Sequence, residues 1–487
     1  MRQASTSMVS LQKQYGYYFM WTVSNLLFPV FVFPYIARFL EPQGLGEAQF
    51  ALQFSRYFML VASLGIPIYG VRELAKANEN MEERNNLCAA LLRLQLITAF
   101  ATSIVYIVVI SFFELQVAST KLLWVAGVQV FLSWTSIEWL LVGLEAFRAI
   151  ALRTLILRLG ASVAMFLCIH NPSDAIWYVL IVVVSFVGGN ALLWIHLYQV
   201  NMKLSLIKGR IATHLKPILI LGLTQLCIIM YTVFDTVWVG LLSTAIAVGF
   251  YTTALKLSKI GIAFVTSLGN MLIPRTARSL NQSDTQNIHL HYSFLFVADL
   301  AVPMSVGLFL LAPECILLFS GTAYMPAIAA MKILAILPIS IGLSNLFGMQ
   351  ILAVAGKDMA LLISVFWGLV IHLVLALICI PINAHIGAAW AMLGAELAVL
   401  TATMVFVRKQ FAIQFPWIQL LYNAFIALTF IPIIWVVREM QLPNWAVLFL
   451  SVLLCTFIYG GLQYWLFKQS TLCFAFQQLL TKQTASV

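Results

Sequence analysis

The sequence has little charge. Only 9% of its 487 residues are Asp, Glu, Lys or Arg, against roughly 25% in a soluble globular domain. It has no polar stretch long enough to form a separate domain: the largest gaps between apolar runs are residues 71–87 and 270–289. Walker A, Gly-x-Ser-x-Gly, His-Glu-x-x-His and Cys-x-x-Cys patterns are all absent, which excludes ATP-driven work by this chain alone and argues against the familiar nucleophile and zinc chemistries. The seven cysteines are scattered, with no histidine at metal spacing. They read as small packing residues, and neither a metal nor a cofactor is expected. No cleavable signal peptide is expected either, because the first apolar run, residues 15–39, is too long for one and carries Pro29 and Pro34.

Apolar sequence is what the chain has in abundance. Hydrophobic residues make up 62% of it and the mean hydropathy is +0.98. A bilayer core about 30 Å thick takes about 20 apolar residues of helix to cross, and only internally hydrogen-bonded helices satisfy the backbone there. The expected fold is an all-α integral membrane protein with about fourteen transmembrane helices, at residues 15–39, 46–70, 88–113, 120–143, 150–169, 175–198, 215–241, 245–269, 290–313, 326–351, 358–381, 386–407, 416–437 and 444–467. The segment from Arg72 to Arg84 reads as a short charged surface helix.

Lys and Arg set the orientation. Most of them, including Arg2, Lys13, Arg72, Lys76, Lys203, Lys208, Arg210, Arg275, Lys357, Arg408, Lys409, Lys468 and Lys482, fall at one set of helix ends. Arg38, Lys121 and Arg438 fall at the other. The first set is expected in the cytoplasm, with both termini. The net charge of +10 is explained by this bias and does not call for a nucleic-acid partner.

A shift of 203 residues lays the second helix on the eighth. Gly46 meets Gly249, Ala51 meets Ala254, Leu52 meets Leu255, Ser55 meets Ser258, and Arg72 meets Arg275, while Arg56 meets Lys259. This implies a parallel repeat of two pseudo-symmetric six-helix lobes, residues 1–200 and 201–410, with helices 13–14 and a tail in 411–487. Transporters often place substrate where such repeats meet. Arg56 and Lys259, as equivalents, are expected to be presented across that interface.

A charge in mid-bilayer costs at least ~2.5–3.5 kcal/mol and usually faces a cavity or a partner. Arg56 lies deep in the second helix, Lys256 and Lys259 share a face of the eighth, and Arg38 closes the first. Such cations suit an anionic headgroup, since guanidinium and ammonium groups bind phosphate well. Asp235, Asp299 and Glu396, with Glu138, are the buried acids. They are expected to carry a coupling ion or to neutralise the cations. Arg93 and Arg158 are expected to snorkel toward cytoplasmic helix ends.

The run Phe33-Pro34-Tyr35-Ile36-Ala37-Arg38-Phe39-Leu40-Glu41-Pro42-Gln43-Gly44-Leu45-Gly46 resembles the first hairpin of bacterial lipid-linked oligosaccharide flippases of the polysaccharide type. These belong to the multidrug/oligosaccharidyl-lipid/polysaccharide exporter superfamily. Leu64 to Glu73, Tyr231-Thr232-Val233-Phe234-Asp235, Val248 to Lys256 and Pro274-Arg275 are similar too. The resemblance covers roughly residues 10–410. It implies two lobes around a cavity that opens alternately to each side of the bacterial inner membrane. It implies an undecaprenyl-diphosphate-linked oligosaccharide as substrate, carried to the periplasmic leaflet for O-antigen or related surface polysaccharide. In the related lipid II flippases, basic residues of helices 1, 2 and 8 lie near the diphosphate, and Arg38, Arg56, Lys256 and Lys259 stand on comparable helices here. Helices 13 and 14 are expected to form a lipid-tail groove. The expected partners are lipid-linked oligosaccharide, membrane lipid, and a polysaccharide polymerase with other assembly proteins.

Three other functions are weighed against this one. A drug or cation exporter of the same superfamily needs acids in its cavity, where this chain offers Arg and Lys. A polysaccharide polymerase or ligase needs a large external loop, which the sequence lacks. An assembly scaffold has no use for cations in mid-helix.

Overall fold

The computed structural model describes residues 2–76, 81–113, 115–144, 146–199, 235–279, 286–411 and 415–466, and isolated positions near 211–226 and at 413; side chains are described for most of these from Phe31 onward. Among the described residues there is no strand. The helices are α1 (Arg2–Ser63), α2 (Ile66–Lys76), α3 (Met81–Phe112), α4 (Thr120–Phe131), α5 (Glu138–Gly143), α6 (Phe147–Cys168), α7 (Ala175–Gln199), α8 (Asp235–Leu242), α9 (Ala245–Ser279), α10 (Gln286–Leu310), α11 (Ala312–Ser320), α12 (Ala327–Leu334), α13 (Leu337–Asn345), α14 (Asp358–Gln410), α15 (Ile418–Ala427), α16 (Phe430–Glu439) and α17 (Asn444–Leu466). A π-helical segment, Leu346–Ala353, follows α13.

Ten of the described helical stretches are long and apolar enough to span a bilayer, or eleven if the bent pair Phe31–Ser63 and Ile66–Leu74 counts as one span. The chain is a multi-pass membrane protein. Part of the expected seventh helix, including Tyr231 to Phe234, lies outside the described residues, as do Lys203, Lys208, Arg210, Lys468 and Lys482.

Several expected loops are instead sharp breaks in continuous helix. Within α1 the chain turns at Glu41 (φ 55°, ψ 175°). Pro42 follows, and a proline pushes the residue before it out of helical ψ. Within α14 the break falls at Asn383 and Ala384, just after Pro381.

Three expectations need correction. The second span does not run to residue 70. It stops at Ser63, where Leu64 takes the left-handed conformation (φ 46°), and α2 leaves at a 44° bend. Arg72 to Arg84 is not one surface helix: its first part completes α2, and Glu82, Glu83 and Arg84 open α3. The α2 face carrying Ile66, Tyr69 and Leu74 is buried against α3 and α5, so apolar burial holds this charged helix in place. The fourth span is also interrupted. A 3-10 turn, Ser133–Thr135, separates α4 from α5.

That interruption frees backbone carbonyls inside the membrane, and two neighbouring side chains donate to them. The Gln95 amide donates to Ser133 O (3.0 Å) and Ser136 O (3.1 Å), and Trp194 Nε1 donates to Thr135 O (2.9 Å). This is how membrane proteins tolerate broken helices. The break also turns Glu138, first residue of α5, toward α6.

The chain divides into two compact units, Met1–Gly249 and Phe250–Val487. In the first, buried residues of α2, α3, α5, α6 and α7 form one cluster around Trp139 and Leu91. In the second, Phe294, Phe347, Leu346 and Ile351 build the core, with Phe415 and Trp417 packed over it. Arg438 at the end of α16 makes a two-pronged ion pair with Glu314 of α11 (Nε–Oε1 2.6 Å, Nη2–Oε2 2.9 Å) and also donates to Leu310 O (2.8 Å). Arg438 and Glu314 therefore lie on the same side of the membrane. On the orientation expected from the charge bias, that side is opposite the termini. Reporter fusions at Val487 and near Leu442 are expected to show opposite sidedness, and matching sidedness would overturn the fourteen-segment reading.

Candidate functional site

In the first unit, Arg56 lies in the second half of α1 with its side chain exposed. Its Nη1 donates to Gln53 Oε1 one turn back, at 3.5 Å. The Tyr57 hydroxyl lies within electrostatic reach of both Arg56 and Asp235. Tyr178 of α7 feels the Arg56 charge and accepts a 2.9 Å hydrogen bond from Gln49. The structure thus gathers Arg56, Asp235 and a set of tyrosine and glutamine side chains around one stretch of α1. Asp235 itself is 1% exposed, at the start of α8. Arg38 is exposed on α1, three residues before the Glu41 break.

In the second unit, Lys259 is exposed and Lys256 half-buried on α9, with Ser258 fully buried between them. Asp299 of α10 is buried, and three amides converge on it. Asn423 Nδ2 donates to Oδ1 at 2.9 Å, Gln463 Nε2 at 3.1 Å and Gln419 Nε2 at 3.5 Å. Gln463 also donates to the Tyr459 hydroxyl at 2.9 Å. This network ties α15 and α17 to α10. Glu396 is buried within α14.

The structure also assembles a group that sequence reasoning did not join. Glu138 of α5 accepts a 2.7 Å charge-assisted hydrogen bond from Arg153 Nη2 of α6. The Arg153 Nε–H is buried and finds no acceptor among the described residues. Arg158 of α6 feels the charges of both. Arg158 is expected from the sequence toward a cytoplasmic helix end, from which it can snorkel. In fact it is near the middle of the 22-residue α6, ~16 Å from its start at 1.5 Å per residue. Arg153, Arg158, Glu138, Ser136, Ser185 and Asn190 line a cavity of about 510 Å³ between α5, α6 and α7. A second cavity of about 620 Å³ shares Ser136 and Glu138 with it and reaches Arg72 on α2. The available signal was an acid two residues after a Ser-Trp-Thr-Ser run and fifteen residues before an arginine.

Comparison with known proteins adds three findings. Residues 11–280 match the family described as "Polysaccharide biosynthesis protein". Two curated relatives bear the name "Putative O-antigen transporter". That of Shigella dysenteriae is 22% identical over 393 residues, covering 79% of this chain and 96% of the relative. That of Escherichia coli (strain K12) is 21% identical over 425 residues, covering 83% and 98%. Among solved structures, the lipid II flippase MurJ in an inward closed conformation superposes with a TM-score of 0.73 at 13% identity, covering 90% of this chain and 96% of its own. An inward-facing multidrug resistance MATE family transporter of the MOP superfamily superposes at 0.62 and 15% identity, covering 80% and 94%. At these identities the structures show a common fold.

Proposed function

Because the chain belongs to the polysaccharide biosynthesis protein family, we propose that it is a flippase for a lipid-linked oligosaccharide. It carries an undecaprenyl-diphosphate-linked glycan from the cytoplasmic to the periplasmic leaflet of a bacterial inner membrane, by alternating access of two lobes, residues 1–200 and 201–410. Helices 13 and 14, in 411–487, serve the lipid tail.

The observation that carries this reading is the placement of Arg56. It is a cation in the second half of a membrane helix, with its side chain exposed and with Gln53, Tyr57 and Tyr178 beside it. A guanidinium in that setting can donate its forked N–H groups to phosphate oxygens, while phenol and amide groups offer hydrogen bonds to sugar hydroxyls. Arg38, Lys256 and Lys259 share the diphosphate, and Asp235, Asp299 and Glu396 balance charge or take a coupling ion. No bond is made or broken in this cycle. The protein supplies a polar path for a headgroup that hydrocarbon rejects. A cation exporter would reverse the polarity, with exposed acids in place of Arg56 and Lys259.

Deleting the gene is expected to leave the lipid-linked oligosaccharide in the inner leaflet and to abolish the surface glycan. Surface glycan that persists with no second flippase present would overturn the reading.

A further inference from the structure

The breaks in the second and fourth spans are both held by one turn of α3. Thr98 Oγ1 donates to Ala62 O, in the last turn of α1 before the Leu64 break. Gln95, one turn earlier on the same face of α3, donates to Ser133 O and Ser136 O across the 3-10 turn that follows α4. Both breaks therefore lie at one level, within the membrane stretch Glu82–Phe112. The half-spans beyond them, α2 and α5, pack on each other. A Cβ on Gly70 would overlap the Trp139 ring, and a Cβ on Gly143 would stand 3.0 Å from Leu74 Cβ. Trp139 Nε1 in turn donates to Gln95 Oε1 at 3.3 Å.

A stripe of the helix that carries His214 runs along α2. Residues 214, 218 and 222 are four apart and share one helical face. A Cβ on Gly222 would stand 2.9 Å from Gly65 N and 3.2 Å from Leu64 C, so the two backbones touch at the break. Ile218 is fully buried in the same cluster as Ile66 and Tyr69. At the far end, the Tyr69 hydroxyl and His214 Nδ1 share a 2.7 Å hydrogen bond. A tight backbone contact at the break and a polar clasp one turn away have the layout of a pivot and a catch.

We propose that α2 and α5 form one hinged block, which swings about the breaks at Leu64–Gly65 and Ser133–Ser136 with the Tyr69–His214 bond as its catch, and admits the glycan headgroup at the end of the first unit where α2 lies. The inference rests on the flippase reading for what passes, and on these contacts for the motion. Bending a helix in hydrocarbon ordinarily strands backbone groups. Here side chains of α3 already satisfy carbonyls at both breaks, so a swing there strands none of those. Hinges are a few element-terminal residues that absorb the dihedral change, and Leu64 already stands in the left-handed region (φ 46°). The interlocked Gly70–Trp139 and Gly143–Leu74 contacts make the two half-spans move together, because packed interiors transmit strain rather than yield to it.

The test uses the full-length protein in inside-out membrane vesicles, labelled with a membrane-impermeant maleimide and read peptide by peptide by mass spectrometry. Two reporters lie in the covered cluster, Ile218→Cys and the native Cys88. Tyr69→Phe keeps the ring and removes the catch. It is expected to speed labelling of both about three- to tenfold, the range that one hydrogen bond gives. Leu74→Cys with Gly143→Cys is expected to close a disulfide after a small shift toward the usual Cβ separation. With that disulfide closed, the Tyr69→Phe acceleration is expected to persist, because the block moves whole. Unchanged labelling in Tyr69→Phe, a pair that does not close, or an acceleration abolished by the disulfide, as local unwinding of α2 would give, overturns the proposal. Bridging Tyr69→Cys to His214→Cys with a short bis-methanethiosulfonate is expected to stop glycan transport, and dithiothreitol to restore it. Transport that persists after complete bridging overturns the gate. A double variant that transports nothing before bridging gives these side chains a role beyond the catch and overturns it too. Labelling needs no glycan, so its failure is distinct from failure of the flippase reading, which the deletion phenotype decides.

Discussion

Arg56→Ala and Lys259→Ala are each expected to cut glycan export by on the order of ten- to a hundredfold, the worth of a hydrogen bond to a charged group, with normal membrane abundance. Both side chains are exposed on membrane helices, so truncating them removes no core packing. On the proposed function, the loss falls on binding of the substrate's diphosphate. The double exchange Arg56→Lys with Lys259→Arg is expected to retain much activity, because charge at each position matters more than fork geometry. A ligand moves a conformational equilibrium only through its different affinity for the two states, and on the proposed function these cations would give the diphosphate that difference. Export at wild-type rates in both alanine variants would make them structural counter-ions.

The second large effect comes from two glycines that the 203-residue shift makes equivalent. A Cβ on Gly46 would overlap the carbonyl of Ala245, and a Cβ on Gly249 would overlap the carbonyl of Pro42. Both obstacles are backbone, so no side chain can move aside. The first turn after the Glu41 break thus lies directly against the first turns of α9. Gly46→Val and Gly249→Val are expected to abolish export, since overpacking costs ~1–3 kcal/mol even where side chains can give way. Gly160→Ala and Gly460→Ala are the controls, because among the described residues nothing beyond the local helix backbone lies within 4 Å of a Cβ at either position. They are expected to leave export and abundance unchanged. Export assays beside immunoblots of membrane fractions read both quantities. Wild-type export in both valine variants would contradict the close approach.

The membrane segments were legible because hydrocarbon demands long apolar helices and little else. The breaks at Glu41 and near Pro381 were marked by proline, which acts on its own neighbours. The split between α4 and α5 was not legible. Ser133-Trp134-Thr135-Ser136 reads as tolerable helix, and what stabilises the break is Gln95, from another helix. Asp299 shows the same limit. Matching charges along the chain looks for a cation, but amides of Asn423, Gln463 and Gln419, 120–164 residues away, donate to its carboxylate. Neutral donors leave no trace in a charge count. For Arg158 the failure was one of depth: the sequence shows a cation near a helix start, and only the fold shows α6 beginning at Phe147 with Glu138 opposite. The cations of the repeat, by contrast, stood out because charge is so rare in these helices.

The central claim is that this chain carries a glycan headgroup through the bilayer. The most direct measurement reconstitutes the purified protein into sealed liposomes containing lipid-linked oligosaccharide in both leaflets, and adds an endoglycosidase that cannot cross the membrane. Without protein, only the outer-leaflet half of the oligosaccharide is cleaved. With protein, cleavage is expected to approach completion, and Arg56→Ala is expected to return it toward the protein-free level. Cleavage that stops at the outer-leaflet half with the wild-type protein present would contradict the account.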